Sequence, residues 1–240
     1  MSSDARVALV TGGTGALGAE TARWLAEREI HIAVGYRGSA QAAQTLAADL
    51  PRAIAVQLDV TDGESIRTAF QTVREQLGTV TILVNSAGIT RDNLTMRMSP
   101  DEWEEVIDTD LSGPFRCIKQ ALPGMVAQRF GRIVTVGSIS GVLGPVGQAN
   151  YAAAKAGLAG MSKSVSREVG KRGITVNVVA PGLVKSPLSE QLDPGLRQLY
   201  ASMAATGREV DPADVARAIL FCVECSSLTG QVINVDGGVT

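Results

Sequence analysis

Sulfur, imidazole and aromatic rings are all scarce in this chain: 240 residues hold three cysteines, one histidine and 4% Phe, Trp and Tyr. Cys117, Cys222 and Cys225 are too few for a disulfide framework, and the CxxC of the last two lies in AILFCVEC, which reads as a buried helix. Besides Cys117, the remaining soft ligand is His31, inside the strand-like IHIAVGY, whereas a structural zinc site needs four ligands, normally as two close pairs. No metal is expected, and the cysteines read as buried thiols of a reducing cytoplasm. The lone histidine also excludes a Ser-His-Asp hydrolase, which needs its imidazole on a site loop, and GSISG at 137–141 has the wrong spacing for a GxSxG elbow. No apolar run approaches the ~20 residues of a membrane span, and MSSDARVALV lacks the basic start of a signal peptide. With 22 Lys and Arg against 24 Asp and Glu, the net charge of −2 offers no field for nucleic acid or an anionic membrane.

What the chain does contain is alternation. RVALVTGG, IHIAVGYR, AIAVQLDV, TILVNSAG, RIVTVGSI, ITVNVVAP and QVINVDGG are short β-branched runs, apolar throughout, as strands buried on both faces of a parallel sheet should be. Helical stretches separate them. Ser39 is placed to cap a helix reaching Leu50, and Thr61 with Glu64 has the spacing of a capping box for a helix ending near Leu77. The expected fold class is α/β: a single-domain, Rossmann-type doubly wound parallel sheet of about seven strands over residues 1–240, with helices on both faces. Residues 186–207 break the alternation and are the candidate lid.

Such sheets bind ligands beyond the carboxyl ends of their strands. Gly12 to Gly18 follow the first strand, Arg37 the second, Asp59 the third, Asn85 to Gly88 the fourth, Ser138 the fifth, and Pro181 with Gly182 the sixth. In TGGTGALG, Gly13, Gly15 and Gly18 fit GxGxxG between a strand and a helix, where a backbone without side chains approaches a pyrophosphate and the helix N-terminus stabilises its charge. The second strand ends VGYRGS, with an arginine where a cofactor bearing a free 2′-hydroxyl would meet a carboxylate; Arg37 therefore favours NADPH over NADH. Asp59 is a candidate for the adenine amino group or, equally, a helix cap.

NYAAAKAGLAG places Tyr151 and Lys155 one helical turn apart on one face. Alone, that pair also reads as two snorkelling side chains. Taken with the glycine turn, NSAG at Asn85 and GSISG at Gly137, the chain resembles the short-chain dehydrogenase/reductase family over its whole length. GITRDNLTMRMSPDEW, GRIVTVGSISGVLG, GQANYAAAKAGLAG and RGITVNVVAPG are similar to the β-ketoacyl-[acyl-carrier-protein] reductases within it. The resemblance implies NADPH-dependent reduction of a β-ketoacyl thioester, with Tyr151 as general acid, Lys155 tuning it and holding the nicotinamide ribose, and Ser138 donating to the substrate carbonyl. The chemistry suits those roles. A phenol of pKa ~10 is a weak acid at neutrality, and an ammonium about 5 Å away at an effective dielectric of ~20 contributes roughly 3 kcal/mol, or two pKa units. The resemblance further implies cofactor contacts at Gly12, Thr14, Gly15, Ala16, Leu17, Gly18, Arg37, Asp59, Val60, Asn85, Ala87, Gly88, Tyr151, Lys155, Pro181 and Gly182.

Two positions depart from the family pattern. Its turn usually reads TGxxxGxG, whose middle glycine falls on Ala16; here Gly15 precedes it, where NADPH-preferring members often carry a basic residue, so Arg37 must hold a 2′-phosphate largely alone. The family's fourth catalytic residue is an asparagine, and DTDLSG puts Asp110 there. An amide donates and accepts, whereas a carboxylate only accepts. Asp110 can act through its backbone carbonyl on a proton-relay water, can be protonated or paired with Lys155, or can mark a weakened, partner-dependent subunit. The resemblance also implies an acidic acyl carrier protein as partner, docking on Arg129 and Arg172 with Arg132 and Lys171 as neighbours, and a homotetramer built through the helices near Leu111–Gln128 and Asn150–Gly170. Coenzyme A thioesters, a polyketide rather than a fatty-acid chain, and a silent nucleotide-binding subunit are the alternatives.

Overall fold

The computed structural model describes residues 6–186, 189–191 and 193–240. The first five residues of the opening segment, and 187, 188 and 192 of the expected lid, lie outside it.

The seven apolar runs become β1 (Val7–Thr11), β2 (His31–Tyr36), β3 (Ala53–Gln57), β4 (Ile82–Asn85), β5 (Gly131–Val136), β6 (Ile174–Pro181) and β7 (Val232–Val235). They form one sheet in the order β3-β2-β1-β4-β5-β6-β7, every neighbouring pair parallel. The order reverses between β1 and β4, and that reversal opens the crevice in which doubly wound sheets seat their ligands. The helices are α1 (Ala16–Ala26), α2 (Ala40–Ala48), α3 (Gly63–Gln76), α4 (Pro100–Ile107), α5 (Gly113–Gln128), α6 (Ser140–Leu143), α7 (Ala149–Val169), α8 (Pro194–Met203) and α9 (Pro212–Glu224).

Two apolar clusters fill the space between sheet and helices. Leu25, Leu46 and Ile219, from α1, α2 and α9, cover Val10, Ile32 and Val84 on one face. Phe70, Ile118, Met125 and Val169, from α3, α5 and α7, cover Leu9, Leu83 and Ile133 on the other. Successive strand residues therefore serve opposite clusters, which is why the strands show no polar alternation. Each fully buried Leu or Ile contributes about 2 kcal/mol.

The helix caps differ from the expectations. Ser39 sits at the start of α2 without a side-chain hydrogen bond to it. The cap of α3 is Asp62, accepting from Glu64 N–H at 2.9 Å, while the Thr61 hydroxyl is turned to Asp59 at 2.7 Å. A complete capping box occurs instead at α4, where Ser99 and Glu102 exchange bonds with each other's backbone. Arg132 is also no docking residue. It is 7% exposed, and its guanidinium donates to the carbonyls of Val223, Gly131 and Gly173. Three carbonyls satisfy the fork, tying α9 to the start of β5 and β6.

In the expected lid, Ser189–Gln191 form one 3-10 turn and Pro194–Met203 form α8. Arg197 of α8 donates two bonds of 2.7 Å to Glu209, just before α9. That bidentate contact holds the Glu209 carboxyl below its ordinary range, the Arg197 hydrogen bond being the largest cause. The stabilisation is in place above the unfolded glutamate value of about 4.3 and is lost as pH falls through the lowered folded value. Glu209→Gln is expected to cost about 1 kcal/mol at neutral pH, with the difference in urea midpoints closing on acidification. An unchanged gap at acid pH would show that the ion pair is not its source.

Candidate active site

The glycine turn after β1 is shaped by contact with the backbone of the β4 loop. Gly12 has φ +61, and a Cβ there would lie 2.8 Å from Ala87 Cα. The Thr11 hydroxyl accepts from the N–H groups of Ser86 and Ala87, both at 3.1 Å, which pins the two loops together. A Cβ on Gly18 would strike the Gly12 carbonyl, so α1 packs against the turn only as glycine. Gly15 is less constrained, its added Cβ meeting Gly12 O at 3.3 Å. It occupies the N-cap of α1 without a side-chain bond, and the first turn carries no acidic residue. The first N–H groups of α1 are left for a ligand. The cradle thus fits a pyrophosphate, with Thr14, Gly15, Ala16 and Leu17 on its rim.

Arg37 is exposed at the end of β2. Burial, the largest influence, pushes the Asp59 carboxyl up, but two hydrogen bonds from Thr61, with Arg37 adding, outweigh it and hold the carboxyl below the ordinary range. Asp59 is in fact engaged as a turn residue, with Oδ1 accepting from both Thr61 N–H and hydroxyl. Val60 is buried, and its carbonyl accepts from Arg116 at 3.3 Å. Asn85 and Gly182 each make a bond within the sheet. The Asn85 amide is interior and donates to the Thr135 hydroxyl at 3.2 Å, joining β4 to β5. The Gly182 N–H donates to Val235 O at 3.0 Å, so the turn that carries Pro181 and Gly182 is tied to β7.

The catalytic candidates gather at the ends of β4 and β5. Ser138 is half-buried, and its hydroxyl accepts from Ser140 N–H at 3.1 Å. The next turn, α6, presses directly on α7: a Cβ on Gly141 would lie 2.7 Å from Ala156 N. Lys155 is 7% exposed and donates to Val136 O at 3.1 Å, two residues before Ser138, with its ammonium 5.3 Å from the Tyr151 ring centre. Asn150 is a positioning residue that sequence reasoning passed over. Its amide donates to the carbonyls of Arg91 and Glu102, both at 3.0 Å, while its oxygen accepts from Tyr151 N–H at 2.8 Å. That clamp holds the start of α7, and with it Tyr151, against the loop after β4.

Asp110 lies in a π-helical turn, Asp108–Ser112, wedged between α4 and α5. Such turns follow from a lost backbone bond, and Pro114 has no N–H to offer the Asp110 carbonyl. The turn directs the carboxylate inward, where it is wholly buried. Oδ1 accepts from Ile89 N–H at 2.9 Å and Oδ2 stands 3.1 Å from Lys155 Nζ. Asp110 and Lys155 thus form an ion pair, the contact that one of the three accounts of Asp110 requires. Burial is the largest influence on the Asp110 carboxyl and lifts it above the ordinary range, with Lys155 and Ile89 opposing. Burial likewise opposes the Lys155 charge most strongly, but Tyr151 and Asp110 together outweigh it and raise that group.

Arg129 and Arg172 are brought together, but far from this site. Both are exposed, and Gly173 packs against the Arg129 carbonyl. They precede β5 and β6, at the opposite ends of the strands from Ser138. Residues 152–169 of α7 lie between Tyr151 and Arg172, a helical span of about 27 Å at 1.5 Å per residue.

The family model described as enoyl-(acyl carrier protein) reductase matches residues 13–240. The 3-oxoacyl-[acyl-carrier-protein] reductase FabG of Salmonella typhimurium is 43% identical over 242 residues, covering all of this chain and 99% of that one. The chain belongs to the short-chain dehydrogenase/reductase family. FabG of Vibrio harveyi is 41% identical at 100% and 99% coverage, and that of Staphylococcus aureus strain N315 is 40% identical at 97% of each. As a short-chain dehydrogenase/reductase the chain joins a glycine cradle, a Tyr-Lys helix face and a strand-end serine around one crevice. Among the described residues no cluster of His, Cys, Asp and Glu could hold a metal, and no helix is long and apolar enough to cross a membrane.

Proposed function

We propose that the chain reduces a β-ketoacyl thioester to the β-hydroxyacyl thioester with NADPH, the whole chain acting as one domain. The carrying observation is the link between sites: Thr11, Gly12 and Ala87 lock the phosphate turn to the loop whose next residues hold Asp110, beside Lys155 and Tyr151. The relatives named above are 3-oxoacyl-[acyl-carrier-protein] reductases along their whole length.

NADPH, when bound, supplies the reducing equivalent. The Gly12–Gly18 turn and the α1 N-terminus receive its pyrophosphate, Arg37 its 2′-phosphate, and the Asp59–Val60 and Asn85–Gly88 loops flank its adenine and nicotinamide ends. Ser138 donates to the ketone oxygen, where negative charge grows as the carbon is reduced. Tyr151 gives that oxygen its proton, and the resulting phenolate faces the Lys155 ammonium. A hydroxyl donor and a phenol acid suit a ketone, whose oxygen ends as O–H, better than an enoyl double bond, which is protonated on carbon.

Exposed Leu94, Met96, Val142, Leu143 and Val146 rim the loops around the crevice and offer apolar surface to an acyl chain. Exposed Phe115 on α5 and Trp103 on α4 are apolar surface suited to a second copy, in keeping with a homotetramer. The deciding experiment is loss of NADPH absorbance on adding a β-ketoacyl thioester, on carrier protein and on coenzyme A in parallel. Cofactor binding without turnover of either would favour the silent-subunit reading.

Arg129, Arg172 and Lys171 form the basic patch that an acidic carrier protein would dock on. Arg129→Glu combined with Arg172→Glu is expected to raise KM for the carrier-bound substrate about tenfold or more while leaving the coenzyme A thioester unaffected. Equal kinetics on both substrates would remove the patch from the docking surface.

A further inference from the structure

Asp110 differs from the asparagine of the family pattern by one group, and that group sits on the cation of the site. Its carboxylate and Lys155 Nζ are 3.1 Å apart, both shut off from solvent. Three features hold it there. Ile89 N–H binds the second oxygen at 2.9 Å. The π-helical turn aims the side chain inward. Gly88 leaves room for it, since a Cβ at 88 would lie 2.8 Å from Oδ2. An amide in the same place would leave the ammonium charge without a counter-charge.

The other charged groups on the elements packed against α7 are engaged or turned away. On α4, Glu102 takes the Ser99 cap and Asn93, Glu105 pairs with Arg91, and Asp101 and Glu104 are exposed. Asp108 pairs with Arg116 at 2.5 Å. Neither α6 nor β6 carries a titratable side chain, and β5 offers Lys155 only the Val136 carbonyl. The charge balance around Lys155 is therefore set by Tyr151 and Asp110.

We propose that Asp110 is a positioning residue, the fixed counter-ion of Lys155, and that its negative charge keeps the Tyr151 phenol protonated to higher pH than an asparagine there would. A carboxylate and a phenolate sharing one ammonium disfavour each other, whereas an amide lets the phenolate claim the whole cation. The overall equilibrium is untouched; the charge moves the pH windows of reduction and oxidation together.

The test is Asp110→Asn, read in two ways. On the cofactor-free protein, ultraviolet titration of tyrosinate, with Tyr151→Phe subtracted to isolate one of the three tyrosines, should show the midpoint about one unit lower in the variant. In kinetics, which rest on the ketoreductase reading above, the alkaline limb of reduction and the acid limb of oxidation should both move to lower pH by the same amount. A purely structural Asp110 would lower the melting temperature and leave midpoint and limbs in place, and that result overturns the proposal. A shifted midpoint in a protein that turns over no ketone would retire the ketoreductase reading and keep the counter-ion. If Asp110→Asn does not fold, Asp110→Ser removes the same charge from a smaller side chain and is read by the same criteria.

Discussion

Replacing Tyr151 with phenylalanine is expected to lower kcat for ketone reduction by roughly a hundredfold to ten-thousandfold, the range for a positioned general acid, or about 3–5 kcal/mol of barrier. The ring keeps its place because Asn150 holds the backbone at the start of α7, and the ring's packing does not need the hydroxyl. NADPH affinity, followed by fluorescence, should change less than threefold. The loss should therefore fall on kcat, as expected for a group that acts when charge develops on oxygen. Undiminished reduction by Tyr151→Phe would remove the phenol from the mechanism, and with it the role assigned to Lys155.

Reversing the charge at the end of β2 is the second large effect. Arg37→Glu should reduce kcat/KM with NADPH on the order of a hundredfold, from the loss of charge-assisted hydrogen bonds worth about 3 kcal/mol. The rate with NADH should hold steady or rise, since a carboxylate at this point can accept from a free 2′-hydroxyl. Arg37 forms no ion pair among the described residues, so the substitution breaks no existing salt bridge. Its influence on Asp59 would change sign, pushing that carboxyl upward instead of down. An equal fall with both cofactors would mean that Arg37 supports the fold of the β2 end and does not read the phosphate.

The fold was legible because its strands are buried on both faces: RVALV or ITVNVVA can be little else in a chain that alternates with capped helices. The site was legible where chemistry is local, as in the four-residue step from Tyr151 to Lys155 or the glycines between β1 and α1. What failed was competition between near neighbours. Thr61 turns its hydroxyl back to Asp59, two residues earlier, and Asp62 takes the cap of α3. Arg132 looked like a helix-end cation in AQRFGR, yet it opens a central strand and is drawn inward by three carbonyls, two of them from distant segments. Asn150 stood in the most telling motif of the chain and gave no signal of its role, because both acceptors of its amide lie on the far side of a long connection. Asp110 stood out as a mismatch, with pairing to Lys155 as one of three accounts; the π-helical turn and Gly88 show why the carboxylate reaches that ammonium.

The length of α7 bears on how a tethered substrate is delivered. A carrier resting on Arg129 and Arg172 stands a whole helix away from the phenol that must protonate its cargo. Any prosthetic arm shorter than that helix falls short of the crevice in the molecule that grips its carrier. On the proposed docking, such an arm would reach a crevice only in a second copy of the chain, so docking at Arg129 and Arg172 and a lone working chain exclude each other.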